Sequence, residues 1–147
     1  MPSNSAAWIS AKRARLAVGS APYTPPRENE IVVENHAVAI NPIDWITQSI
    51  GDFIFPYIKY PSVLGSDLAG EVVEIGTAVT RFKVGDRVLG HAVGADPQRN
   101  RAAEGAFQTH TVVLEHMAAP IRGLGCVRTG LDLQRKGVSA SKVVVSL

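Results

Sequence analysis

The alternation of apolar and polar positions is clearest in two stretches of the chain, and both predict β-structure. Glu30 to Ile40 reads as a strong strand: Ile31, Val32, Val33, Val38 and Ile40 are β-branched, and polar residues interrupt them. Asn41-Pro42 ends it, because proline removes a ladder donor. The second stretch is Leu64 to Leu89. Its core, Leu68 to Val73, is apolar and β-rich, and Gly70 leaves room for a close backbone approach. Gly76 centres a turn, and Phe82, Val84 and Val88 then flank a tight turn at Gly85-Asp86. The predicted path is strand, long turn, tight turn, strand, with glycine at each bend because positive φ costs it little.

Shorter elements surround these two. Ala6 to Ser10 and Ala14 to Ser20 predict two short strands joined by a basic turn, and Ala21 to Pro26 is too proline-rich for anything but an extended connector. Ile43 to Gln48 predicts a short helical turn with Pro42 near its start. Gly51 to Pro61 carries Phe53, Phe55, Tyr57 and Tyr60, which suit either an apolar plug or the wall of a ligand cleft. His91 to Glu104, with Asp96-Pro97 and Arg99-Asn100-Arg101, predicts a surface loop, and Gly105 to Val113 returns to strand.

Composition bounds what this pattern can be. A chain of 147 residues, 46% hydrophobic and 19% charged, fits one globular domain with a real core. No run approaches the ~18 apolar residues of a membrane-spanning helix, and a cytoplasmic location is expected. Cys126 is the one cysteine, which rules out an internal disulfide. The first 27 residues hold Lys12, Arg13, Arg15 and Arg27 and no acid, a bias shared with transit peptides, but the two-strand reading accounts for them. Charge is uneven: residues 1–120 hold ten basic and twelve acidic side chains, residues 121–147 five basic and one acidic. That basic tail has no aromatic residue and no dense Lys/Arg cluster, so it predicts solvated charge and no nucleic-acid partner.

Several chemistries lack their residues. Gly-x-Ser-x-Gly is absent, and Cys126 has no evident His/Asp partnership, which removes the hydrolase readings. No G-x-G-x-x-G fingerprint follows a strand; Gly123 to Gly130 has glycines, but its last comes too late. His36, His91, His110 and His116 form no i, i+4 pair, and His36 and His110 fall in predicted strands, where a hydrogen-bonded structural role is expected.

Leu64 to Leu89 resembles the G-H/S-E/D-x-x-G-x-V-x-x-x-G…GD-R-V signature of the medium-chain dehydrogenase/reductase superfamily, in its GroES-like domain. Asn41-Pro42-Ile43-Asp44-Trp45 resembles the N-P-x-D-W/Y-K turn of the zinc-free quinone and enoyl reductase branch, with Ile46 where many relatives carry Lys or Arg. Gly105 to His110 resembles the G-A/S-F/Y-A/Q-x-Y/H strand that closes the domain, and His116 to Ile121 the short strand at its exit.

The resemblance implies a mainly β fold: a partly open GroES-like barrel with short helices over residues 1–120 and an irregular extension over 121–147. Past Ile121 the resemblance stops. Ser141 to Leu147 looks like the first strand of a nucleotide-binding unit, so a truncated product without that domain is the expectation.

Within the family, Asn41 would bring an amide near the cofactor or the substrate carbonyl. Asp44 would either orient the turn or join the chemistry. Trp45, Phe53, Phe55 and Tyr57 would line the substrate cleft. Relatives with catalytic zinc place a Cys near Pro42 to Asp44 and a His where Ser66 stands, so Ser66 and Asp67 are expected to be structural and no zinc is expected.

The implied function is the substrate side of a zinc-independent, NADPH-dependent enoyl or quinone oxidoreductase. In intact relatives it would act on an enone or enoyl thioester, including those of a polyketide synthase. This chain alone is expected neither to bind NADPH tightly nor to act as an enzyme. The alternative is a non-catalytic module that forms a homo- or hetero-dimer with a full-length homologue. No membrane partner is expected.

Overall fold

Ten residues from Glu30 to Ala39 form the longest strand, β3, and the rest of the larger sheet is laid down against it. In the computed structural model, which describes residues 2–121, that sheet has the order β7-β3-β5-β6-β8 and every pairing is antiparallel. Its other strands are β5 (Asp67–Ile75), β6 (Arg87–His91), β7 (His110–Leu114) and β8 (Ala118–Pro120). A second sheet, β2-β1-β4, joins β1 (Asn4–Ile9), β2 (Ala17–Ala21) and β4 (Ser62–Val63). The two are stitched together beside β1, where Ala7 N–H donates to the Phe107 carbonyl at 2.8 Å and Thr109 N–H to the Ser5 carbonyl at 2.9 Å. This is the partly open, mainly β architecture the sequence predicts. No helix among the described residues is long and apolar enough to cross a membrane.

The β-branched residues that mark β3 also make the core. Ile31 and Val33 pack with Leu68, Val72, Phe82, Val88, Ala106 and Val113 in one buried cluster. A smaller cluster of Ala6, Ala21 and Val63, flanked by Trp8 and Phe107, lies under the second sheet. Pairing between β3 and β5 shifts register at Val32/Val33 and again around His36, which twists the two strands. His36 and His110 lie in strands as expected, and His110 meets Tyr23 edge to face at 5.4 Å. Burial, with the hydrogen bond to Glu74 and that residue's charge, pushes the Tyr23 phenol up and ties the proline-rich connector to β5.

Three expectations need correcting. The helical turn expected over Ile43 to Gln48 is a longer helix, α1, over Pro42–Ile54, with an irregularity at Ile50. Gly76 is not held by φ: a side chain there would collide with the Arg27 and Glu28 carbonyls, so space is the constraint, whereas Gly85 does adopt φ +93°. The two N-terminal strands sit a few residues from their expected bounds. The tail 122–147, with Cys126, Gly123 to Gly130 and the expected strand Ser141 to Leu147, lies outside the described residues.

The loop between β6 and β7 lies at the surface as expected, with residues 95–98 exposed, but its acidic end is deep: Glu104 is 1% exposed and Glu30, which it meets, 2%. Both carboxylates are paired: Arg99 and Arg101 each bond to both, over 2.5–2.8 Å. Two acids this deep require such partners, since an unpaired buried charge is severely unfavourable. Burial alone would raise the Glu30 carboxyl. The Arg27 backbone N–H and the Arg101 and Arg99 guanidinium groups outweigh it and hold that carboxyl below its ordinary range.

Two outcomes follow. Gly70→Ala places a methyl against the Glu34 carbonyl across the β3–β5 pair, and a loss of about 1–3 kcal/mol is expected in urea denaturation. Because the folded-state Glu30 carboxyl is depressed, its contribution is complete above the ordinary carboxylate range and is lost as pH falls through and below it. The melting temperature should therefore drop on acidification, with a shallower acid limb in Glu30→Gln.

Candidate functional site

Three strand ends meet at one rim of the larger sheet. Asp67 opens β5 opposite Ala39 near the end of β3, and His91 closes β6 directly opposite Asp67. Asn41 follows β3 and caps α1. Register alone thus brings together three side chains that the sequence separates by dozens of residues.

They form a hydrogen-bonded chain. The Asn41 amide Nδ2 donates to Asp67 Oδ2 at 3.1 Å, and Asp67 Oδ1 lies 3.3 Å from His91 Nδ1. Asn41 is held in turn by its own backbone: its N–H donates to Asp44 Oδ2 at 2.7 Å, the acid half of a capping box. Asp44 is buried and points back at the helix start, so its observed work is orientation. Ser66 serves through its backbone, its carbonyl accepting the Ala92 N–H at 2.6 Å. Half of the His91 side chain is solvent-accessible, which leaves its second nitrogen available at the rim.

His91 is the residue that sequence reasoning missed. The signal for it was positional, as the last residue of the strand facing Asp67, and that facing requires the register.

Helix α1 runs away from this rim with its chemistry reversed. It buries Asp44, Thr47 and Gly51, while Ile43, Trp45, Ile50, Phe53 and Ile54 are exposed, Phe53 at 85% and Trp45 at 59%. Gln48 Nε2 ties the middle of the helix to the Ala14 carbonyl at 3.0 Å. Trp45 is the aromatic residue beside the polar rim. Phe53 stands in the last turn of α1, past the irregularity at Ile50, and Phe55 and Tyr57 follow the helix end. There Phe55 and Tyr57 meet edge to face with centroids 6.1 Å apart.

The rim does not fit zinc. A catalytic site uses three protein ligands, and no group of three His, Cys, Asp or Glu side chains gathers among the described residues. At the rim Asp67 and His91 are the ligand-type groups, and Asp67 already accepts an amide hydrogen. Nor does the N-terminus of α1 suit a dinucleotide phosphate. The N-terminus of α1 begins with proline and has the Asp44 carboxylate in its first turn, which repels an anion where a phosphate cradle offers free N–H groups. A shallow cavity of about 810 Å³, lined by residues that include Arg27, Glu28, Glu74 and Arg99, opens at the opposite end of β3 and β5.

If Asp44 only orients, Asp44→Ala should lower stability by about 1–2 kcal/mol, and Asp44→Asn, which keeps an acceptor oxygen, should lower it less. Urea unfolding followed by circular dichroism measures both.

Residues 27–123 match the alcohol dehydrogenase GroES-like domain family. The chain is 60% identical over 122 residues to the dehydrogenase pigH of Monascus ruber, covering 82% of this chain and 33% of that protein. It is 42% identical over 122 residues to the trans-enoyl reductase himH of Aspergillus japonicus, covering 80% and 33%. Its fold resembles the Escherichia coli quinone oxidoreductase solved with NADPH, with a TM-score of 0.62 and 27% identity over 82% of this chain and 33% of that one. The chain thus spans about a third of the length of these relatives. It belongs to the alcohol dehydrogenase GroES-like domain family, within the medium-chain dehydrogenase/reductase superfamily.

Proposed function

We propose that this chain is the substrate-side domain of a zinc-independent, NADPH-dependent enoyl or quinone oxidoreductase. The observation that carries the reading is the Asn41–Asp67–His91 network, hydrogen-bonded side chains at the rim where the family resemblance places the ligands of zinc-using relatives. Asn41 and the free edge of His91 can offer hydrogen bonds to a substrate carbonyl, and oriented dipoles in a partly dry cleft are an effective way to stabilise developing negative charge on oxygen. Trp45, with Phe53, Phe55 and Tyr57 further along, supplies apolar surface for the carbon skeleton of an enone or enoyl thioester. A trans-enoyl reductase among the relatives supports the enoyl reading, and a thioester carried by a polyketide synthase is part of the proposal. NADPH, bound in the E. coli relative, supplies hydride chemistry when held. The reading assigns the hold on its phosphates to residues other than 2–121.

A second reading rests on the exposed face of α1. Ile43, Trp45, Ile50, Phe53 and Ile54 expose apolar area of the kind proteins cover by association, which suits pairing with a full-length homologue. Light scattering on a size-exclusion column tests the self-associating form of this reading, which a clean monomer over a wide concentration range removes.

Titration calorimetry of the 147-residue chain with NADPH should show no saturable micromolar binding, and a spectrophotometric assay no enone reduction. Saturable binding would overturn the assignment of cofactor holding to other residues. For zinc, dialysis against the ion followed by elemental analysis should recover well under one equivalent per chain, and a stoichiometric tight ion would sink the zinc-independent reading.

A further inference from the structure

The loop Gly94–Glu104 is closed at its neck, where the Gly94 N–H donates to the Glu104 carbonyl at 2.9 Å. Within it Arg99, Asn100 and Arg101 are consecutive, and their side chains go to different places. The two arginines enter the lattice with Glu30 and Glu104. Asn100 between them reaches the segment that follows α1. Its Nδ2 donates to the Tyr57 carbonyl at 2.6 Å, and its Oδ1 accepts the Lys59 N–H at 3.2 Å. The carboxamide therefore pairs with the backbone on both its donor and its acceptor side, as a neighbouring strand would.

Asn100 holds this position at φ 47°, in the left-handed region that asparagine tolerates better than most residues. Its own N–H and that of Arg99 both donate to the Asp96 carbonyl, which sets the turn. The segment it grips carries the Phe55–Tyr57 ring pair. Local hydrogen bonds there run from Phe55 N–H to Gly51 and from Ile58 N–H to Phe55. Ile58 is buried at 7% and anchors the far side of the ring pair, whereas Phe53, before it in α1, is 85% exposed, so Asn100 adds a polar hold to the side of the pair that leads on to Lys59.

We infer that Asn100 is a positioning residue for substrate: the ion lattice fixes the loop, and the Asn100 carboxamide fixes the Phe55–Tyr57 pair as one wall of the cleft. This rests on the reading of Phe53 to Tyr57 as substrate-facing. Strain in a loop residue that serves a neighbouring segment is what a site needing a rigid wall would show. A wall set in this way selects substrates by shape, because a ring pair free to rotate offers no fixed surface.

The test uses the 147-residue protein and Asn100→Gly, which removes both bonds while suiting positive φ, so that the loop itself keeps its conformation. Asn100→Asp keeps the acceptor for Lys59 and loses the donor to Tyr57. Amide exchange by nuclear magnetic resonance should speed up about tenfold or more across residues 57–60 in Asn100→Gly, as the loss of two hydrogen bonds implies. Asn100→Asp should fall between, with β3, β5 and β7 unchanged in both. Unchanged exchange at 57–60, or a rise shared equally by the core strands, would overturn the tether.

The substrate role is read by titrating 4-phenyl-3-buten-2-one, an aromatic enone, into each protein. The expected result is movement of the Phe55 and Tyr57 resonances in the parent and a markedly weaker response in Asn100→Gly. Equal responses in both proteins overturn the positioning role alone. No movement at 53–57 in the parent overturns the cleft-wall reading, and the substrate role with it.

Discussion

Two carboxylates almost wholly withdrawn from water constrain this domain more than any other feature. Glu30 starts the central strand, Glu104 ends the loop between β6 and β7, and neither could keep its charge there without Arg99 and Arg101. Because each arginine reaches both acids, the four groups form a closed lattice whose members cannot be moved one at a time. Burial of charge adds little net stability compared with apolar packing, but it is exacting about geometry. The lattice sets where a long irregular loop lies against the sheet. That loop then reaches across to the segment after α1 through Asn100.

The strands were legible because their evidence is local. Ile31, Val32 and Val33 announce β3 by composition, and Asn41-Pro42 announces its end. Gly70 was readable as a close approach, and the Glu34 carbonyl stands where its side chain would have been. What could not be read was long-range. Arg99 and Glu30 are 69 residues apart and Arg101 and Glu30 71, so a run of Arg-Asn-Arg between turn residues looks like any solvated loop. His91 and Asp67 are 24 residues apart and meet only once the β5–β6 register is set. The length of α1 was missed for a different reason: Ile50 and Gly51 interrupt its helical character, and its apolar residues face outward, so the pattern did not point to a core-facing helix.

That reversed helix is where fold and site come together. Its start is held by Asn41 and Asp44, its middle by Gln48 on Ala14, and the chain beyond its end by Asn100. All of these are hydrogen bonds, worth about 0.5–1.5 kcal/mol each in net terms. They specify direction and distance, whereas apolar burial supplies stability without specifying orientation. Trp45, Ile50 and Phe53 contribute little such burial within residues 2–121, so α1 is placed with precision but held weakly. An element of that kind gains stability when something apolar covers it. The curated relatives are about three times as long as this chain. The polar rim lies at one end of the helix and the tethered ring pair beyond the other, and between them the polar bonds fix where the exposed apolar face of α1 is presented.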